Sequence, residues 1–122
     1  MKVLIVDDEE MLVTVVAATL EMAGYSDFVV ARDGREGLAK CRAERPDIVL
    51  LDVMLPHMNG YEVCKAIKSD PELGDTRIIM LTAMAQKSDV HRGIEAGAAA
   101  YLTKPFSPRD LLAVMKETLA AA

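Results

Sequence analysis

Four short apolar stretches of this chain each end on a residue able to bind a cation or an anion. Val3-Leu4-Ile5-Val6 runs into Asp7 and Asp8, and Ile48-Val49-Leu50-Leu51 runs into Asp52. Ile78-Ile79-Met80-Leu81 runs into Thr82, and the stretch closing at Thr103 runs into Lys104. Taken alone, Asp52 is as readily a turn residue as anything else. Gathered in one cleft, however, three carboxylates would repel each other, by about 4 kcal/mol for two charges ~4 Å apart at an effective dielectric near 20. Lys104 by itself is too little positive charge to neutralise them. A hard divalent cation such as Mg²⁺ relieves the repulsion, because it takes one or two carboxylates and completes its shell with water and phosphate oxygens. Lys104 and the Thr82 hydroxyl are then expected to face phosphoryl oxygens from the other side. A carboxylate nucleophile, a metal, a hydroxyl and an ammonium make a clamp for phosphoryl transfer.

That chemistry requires the four ends to meet, which is a matter of fold. The run before Asp52 is continuous, bounded by Pro46 and by a loop bearing Pro56, Asn59 and Gly60, and too short for a helix. It suits a strand buried on both faces. After Asp7-Asp8-Glu9-Glu10, where Glu9 and Glu10 suit a helix N-terminus, Leu12, Val15, Val16, Thr19, Leu20 and Ala23 recur with helical period up to a stop at Gly24. Phe28–Arg32 is a more polar strand. Asp33 and Glu36 have capping-box spacing for a helix carrying Leu38 and Cys41 inward and ending before Pro46. Gly37 within it implies close packing on the sheet. Asn59 caps a third helix with Val63, Cys64 and Ile67 inward, ended by Asp70-Pro71. Arg77–Thr82 is a strand; Val90 and Ile94 mark a helix closed by Gly97, and Ala99–Thr103 is the last strand. Ser107-Pro108-Arg109-Asp110 opens a final helix with Leu111, Leu112, Val114, Met115 and Leu119 toward the core.

Strand and helix therefore alternate five times with short connections. This predicts an α/β, doubly wound, five-stranded parallel sheet in the order 2-1-3-4-5, flavodoxin-like, with helices on both faces and one domain over residues 1–122. The most apolar strands, 1, 3 and 4, belong in the centre, and 2 and 5 at the edges. Parallel strands finish on the same side, so Asp7, Asp8, Asp52, Thr82 and Lys104 share one edge of the sheet.

The 122 residues carry a net charge of −5, with 52% hydrophobic content, no Trp and eight Met. The acidic balance argues against generic binding to nucleic acid or to an anionic membrane. The longest apolar runs fall short of a membrane span, and Met1-Lys2 leads straight into a strand rather than a signal peptide. Cys41 and Cys64 are too few for a metal cluster and sit at helical core positions, which fits buried free thiols in a reducing, cytoplasmic setting. A flavin mononucleotide carrier would share the topology, but four acids stand where its phosphate-cradling loop belongs. A haloacid-dehalogenase-type phosphatase wants a second Asp where Met54 stands.

In order and at strand ends, the chain carries Val-Asp7-Asp8-Glu, Leu-Asp52-Val-Met-Leu-Pro56-His-Met-Asn-Gly60, Leu-Thr82-Ala83 and Tyr101-Leu-Thr-Lys104-Pro105-Phe106. Over essentially its full length it resembles the receiver domain of bacterial two-component response regulators. The resemblance implies a signalling switch rather than an ordinary enzyme, in which Asp52 accepts a phosphoryl group from a phosphohistidine donor. That donor would be a sensor histidine kinase or a histidine phosphotransfer protein. It implies Mg²⁺ held by Asp8 directly, by Asp7 mainly through water, by Asp52 and by the Met54 backbone carbonyl. Lys104 pairs with the phosphoryl group, and the Lys104-Pro105 peptide is expected to be cis.

The resemblance also implies a relay. Thr82 turns toward the phosphoryl oxygen, Tyr101 moves inward, and the small Ala83 leaves room. The signal then reaches a surface of helix 4, strand 5 and helix 5, read by a downstream effector or a fused output domain. Met54 and Met84 lie at positions that tune dephosphorylation, and their apolar character implies a long-lived phosphoryl state. His57 and His91 read as surface residues. Regulators with winged-helix output domains carry acids just before the strand-5 tyrosine, where this chain has Ala99 and Ala100. A monomer or weak dimer without direct contact to nucleic acid or membrane is therefore expected.

Overall fold

The apolar runs form strands β1 (Val3–Val6), β2 (Phe28–Ala31), β3 (Ile48–Asp52), β4 (Arg77–Thr82) and β5 (Ala100–Thr103). Between and after them lie helices α1 (Glu10–Met22), α2 (Gly34–Glu44), α3 (Gly60–Ser69), α4 (Lys87–Ala96) and α5 (Pro108–Ala120). The computed structural model describes residues 1–83 and 87–120, and the side chains of all of these except 87–90. The sheet is parallel throughout, in the order β2-β1-β3-β4-β5. The predicted order and strand placement hold, with β2 and β5 at the less buried edges.

Side chains of a strand alternate between faces, so each central strand feeds two cores. Leu4, Val49, Leu51 and Met80 pack with Val63 and Ile67 on the side of α2 and α3. Ile5, Leu50, Ile79 and Leu81 pack with Val16, Leu20, Leu111 and Met115 on the side of α1 and α5. Burial of both faces explains why these strands read as unbroken apolar runs.

Helix starts follow the capping logic. Asp33 Oδ1 accepts from the Glu36 N–H at 2.8 Å, and Asn59 Oδ1 from the Glu62 N–H at 3.0 Å. Ser107 and Asp110 form a reciprocal box, with each side chain accepting from the other's N–H at 3.1 Å. Gly24 and Gly97 follow α1 and α4 with φ of +90° and +100°, the left-handed C-terminal stop. Gly37 lies against Val6 so closely that a Cβ there would sit 2.8 Å from a Val6 methyl, the packing predicted for it.

Three apolar positions depart from the expected pattern. Val15 is exposed on α1, where the buried stripe is Val13, Val16, Thr19 and Leu20. Ile94 is 64% exposed on α4, because the residue that α4 turns toward β5 is Gly93. Ala23 is likewise exposed, at the C-cap of α1. The side chain of Val90 lies outside the described residues.

Gly60 ties the first turn of α3 to the end of β3. Its N–H donates to the Val53 carbonyl at 2.9 Å, and a Cβ at this position would meet the Asp52 carbonyl oxygen at 2.3 Å and Val53 Cα at 2.8 Å. Backbone cannot move aside as a side chain can. Gly60→Ala is expected to destabilise the chain by about 1–3 kcal/mol. Gly74→Ala, whose Cβ would meet only the Pro71 carbonyl oxygen at 3.9 Å, is expected to be near neutral. Urea unfolding of the two variants side by side checks the contrast.

Candidate functional site

Because all five strands run the same way, their C-terminal ends share one edge, and the predicted residues meet there. Asp7 follows β1 and is fully buried; Asp52 ends β3 and is 5% exposed; Thr82 ends β4 and is also buried. Asp8, beside Asp7, is exposed to solvent. One carboxylate oxygen from each of Asp7, Asp8 and Asp52 lies within 4.8 Å of the other two.

Lys104 reaches into this cluster. Its Nζ donates to Asp7 Oδ2 at 3.0 Å, lies 3.3 Å from Asp52 Oδ1, and is 3.8 Å from Glu9 Oε2. The ammonium thus bridges two of the carboxylates, the nearest buried counter-charges. Glu9 was not singled out as a partner; its place two residues beyond Asp7, at the N-cap of α1, is the signal that could have found it.

Backbone contacts hold the cluster. The Glu9 N–H donates to Asp7 Oδ1 at 2.9 Å, and the Met54 N–H to Asp52 Oδ1 at 3.3 Å. The Lys104 N–H donates to the Thr82 carbonyl at 2.6 Å, which joins the β4 and β5 ends directly. The Lys104-Pro105 peptide is cis. Met54 and Ala83 are exposed, while Met84 lies outside the described residues. Tyr101 is half-buried on β5, with its hydroxyl 2.7 Å from that of Tyr61. His57 and His91 lie on the surface, the latter 2.9 Å from Glu95. Cys41 and Cys64 are buried free thiols, both pushed up to about 11 by burial, which suits packing rather than reactivity.

Electrostatics set the state of the pocket. Burial raises the Asp52 carboxyl to about 6, the neighbouring Asp7 charge adds to the shift, and Lys104 opposes it. Burial pulls Lys104 down, but its hydrogen bond to Asp7 and the charges of Asp7 and Asp52 outweigh that and hold it above its ordinary value. Three carboxylates against one ammonium leave a negative surplus, partly open to water through Asp8. Oxygen donors only, carboxylates on one side and solvent on the other, fit a hard divalent cation that retains water.

The family of the response regulator receiver domain matches residues 3–116 of this chain. The alkaline phosphatase synthesis transcriptional regulatory protein PhoP of Bacillus subtilis is 47% identical over 118 residues, which cover 97% of this chain and 48% of that protein. The chain thus spans about half the length of the curated relatives it matches. The chemotaxis response regulator CheY4 of Vibrio cholerae superposes with a TM-score of 0.91 at 38% identity, covering 96% of this chain and 97% of that one. The BeF3-activated DrrB receiver domain of Thermotoga maritima superposes at 0.87 with 36% identity, covering 98% and 97%.

The raised Asp52 carboxyl carries a stability signature in metal-free buffer. Unfolded, the group ionises near 3.8; folded, near 6. Between those values the folded chain holds a proton that the unfolded chain has lost, so stability falls as pH rises through that window and levels off above it. Asp52→Asn removes this slope. The variant is expected to be more stable than the parent by on the order of 1–3 kcal/mol at pH 8, with the gap closing toward pH 4. Urea titrations with chelator across that range test it, and parallel curves for the two proteins would refute it.

Proposed function

The chain belongs to the response regulator receiver domain family of two-component signalling proteins, and we propose that Asp52 is its phosphoryl acceptor. The observation that carries this reading is the convergence of Asp7, Asp8, Asp52 and Lys104 on one sheet edge, with Asp52 nearly buried and its carboxyl raised to about 6. At neutral pH such a carboxyl is largely ionised and weakly solvated. An Asp52 oxygen attacks the phosphorus of a phosphohistidine as the phosphorus–nitrogen bond breaks, and the imidazole leaves and takes up a proton. Mg²⁺ bound by Asp7, Asp8, Asp52 and the Met54 carbonyl would supply charge neutralisation and orient the phosphoryl oxygens.

The remaining steps belong to the chain's own groups. Lys104 exchanges its Asp52 contact for a phosphoryl oxygen and keeps its tie to Asp7. Thr82, next to Asp52 along the strand ends, turns its hydroxyl toward the same group, with the small Ala83 following. Tyr101 reads this movement and passes it to the face of α4, β5 and α5. On that face Ile94, Ala98, Ala99, Ala100 and Tyr101 line an apolar depression of about 160 Å³, chemistry suited to a protein partner. Residues 1–122 act as one receiver unit in the cytoplasm, where a sensor kinase or histidine phosphotransfer protein is the donor. A downstream effector or an attached output domain is the reader, and the chain itself touches neither nucleic acid nor membrane. Among the described residues no helix is long and apolar enough to cross a membrane. Ala99 and Ala100 withhold acidic partners from salt bridges beside Tyr101, which favours a monomer or weak dimer. The exposed Met54 shields the acyl phosphate from water and prolongs its life.

Incubation with acetyl phosphate and Mg²⁺ is expected to add the mass of one phosphoryl group to the intact chain and nothing to Asp52→Asn. Lys104→Met is expected to accumulate the product roughly 10²-fold more slowly, the usual consequence of losing one donor to developing negative charge. An unmodified parent, or an Asp52→Asn chain modified equally, would overturn the assignment. Separately, Mg²⁺ is expected to raise the parent's thermal midpoint in a concentration-dependent way and to raise that of Asp52→Asn less.

A further inference from the structure

Tyr61 lies at the start of α3 and is buried, with its hydroxyl 2.7 Å from that of Tyr101 on β5. The Tyr101 ring reaches that position beneath α4, through a slot that exists because residue 93 has no side chain. A Cβ on Gly93 would stand 2.7 Å from Tyr101 Cε2 and 3.2 Å from Cδ2. The Arg92 guanidinium lies 4.3 Å from the Tyr61 ring centroid. This cation over the ring face adds to the burial that holds the Tyr61 ring in place. Three elements, α3, α4 and β5, thus converge on one orientation of one ring.

We propose that Tyr61 is a positioning residue for the switch, latching the Tyr101 ring beneath α4 through its hydroxyl. The inference rests on the reading of Tyr101 as the moving element. Tyr61 is fixed by burial in the first turn of α3, so the latch is a stationary post that the mobile ring joins or leaves. The tucked ring is the orientation that phosphorylation of Asp52 is proposed to favour. Tyr61 therefore keeps the unphosphorylated chain partway toward its active form, and by linkage the phosphorylated site favours the latch in turn. One net hydrogen bond shifts such an equilibrium about two- to tenfold.

Fluorotyrosine NMR of the chain tests this, with Tyr25, Tyr61 and Tyr101 assigned by single replacement with phenylalanine. Gly93→Ala, which drives the ring from its slot, marks the displaced Tyr101 signal. In Tyr61→Phe, which keeps the ring and its packing, the Tyr101 signal is expected to move toward that displaced position by about a two- to tenfold change in population. Beryllofluoride with Mg²⁺ is expected to draw it back. An unchanged Tyr101 signal in Tyr61→Phe, in a parent whose signal does respond to beryllofluoride, overturns the latch and leaves the switch standing. A Tyr101 signal indifferent to beryllofluoride in both proteins overturns the switch reading, and the latch with it.

Discussion

An ammonium shared by two buried carboxylates holds the functional edge of this molecule together. Lys104 and Asp7 are 97 residues apart in sequence and 3.0 Å apart in space, so the contact exists only when β1 and β5 stand at the right distance with β3 and β4 between them. Each of these charges would be unfavourable to bury alone, by several kcal/mol. Together they leave a negative surplus with no counter-charge among the described residues. That surplus, with Asp52 withdrawn from water by burial, is what the proposed cation site rests on.

Much of this was legible in the sequence, for reasons that differ from part to part. The central strands were readable because burial on both faces demands unbroken apolar runs, and β1, β3 and β4 have them. Helix starts were readable because an N-terminus needs acceptors for its free N–H groups, and Asp33, Asn59 and Ser107 supply them in place. The gathering of Asp7, Asp8, Asp52, Thr82 and Lys104 followed from parallel direction alone. None of these inferences required knowing which side chain touches which.

Where contact between particular atoms decides the outcome, the sequence was silent. Periodicity assigns a face to Val15 and Ile94 but cannot say whether that face meets a neighbour. On α4 the inward position is taken by Gly93, against the Tyr101 ring, so Ile94 is left to solvent. Lys104 could be placed at the edge, yet its choice of Asp7 and Asp52 depends on distances of about 3 Å that strand order does not fix. The meeting of Tyr61 with Tyr101 is visible only once α3 and β5 are set in space.

The division of the sheet into centre and edge gives the proposed switch both a firmly held part and a less constrained one. Asp7 and Asp52 follow or end strands paired on both sides, whereas Tyr101 lies in, and Lys104 directly follows, an edge strand paired only with β4. The register sets Met80 beside Tyr101 and Thr82 beside Thr103, and the Lys104 N–H holds the Thr82 carbonyl. Thr82 and Lys104 are thus joined by one backbone hydrogen bond, and Tyr101 sits two residues back along the same pairing. Elements with fewer partners open at lower free energy, so the proposed switch draws on the edge strand β5 while the central β1 and β3 hold the carboxylates. A site built wholly on central strands would hold its charges equally well but have nothing to move; one built wholly on the edge would not hold them at all.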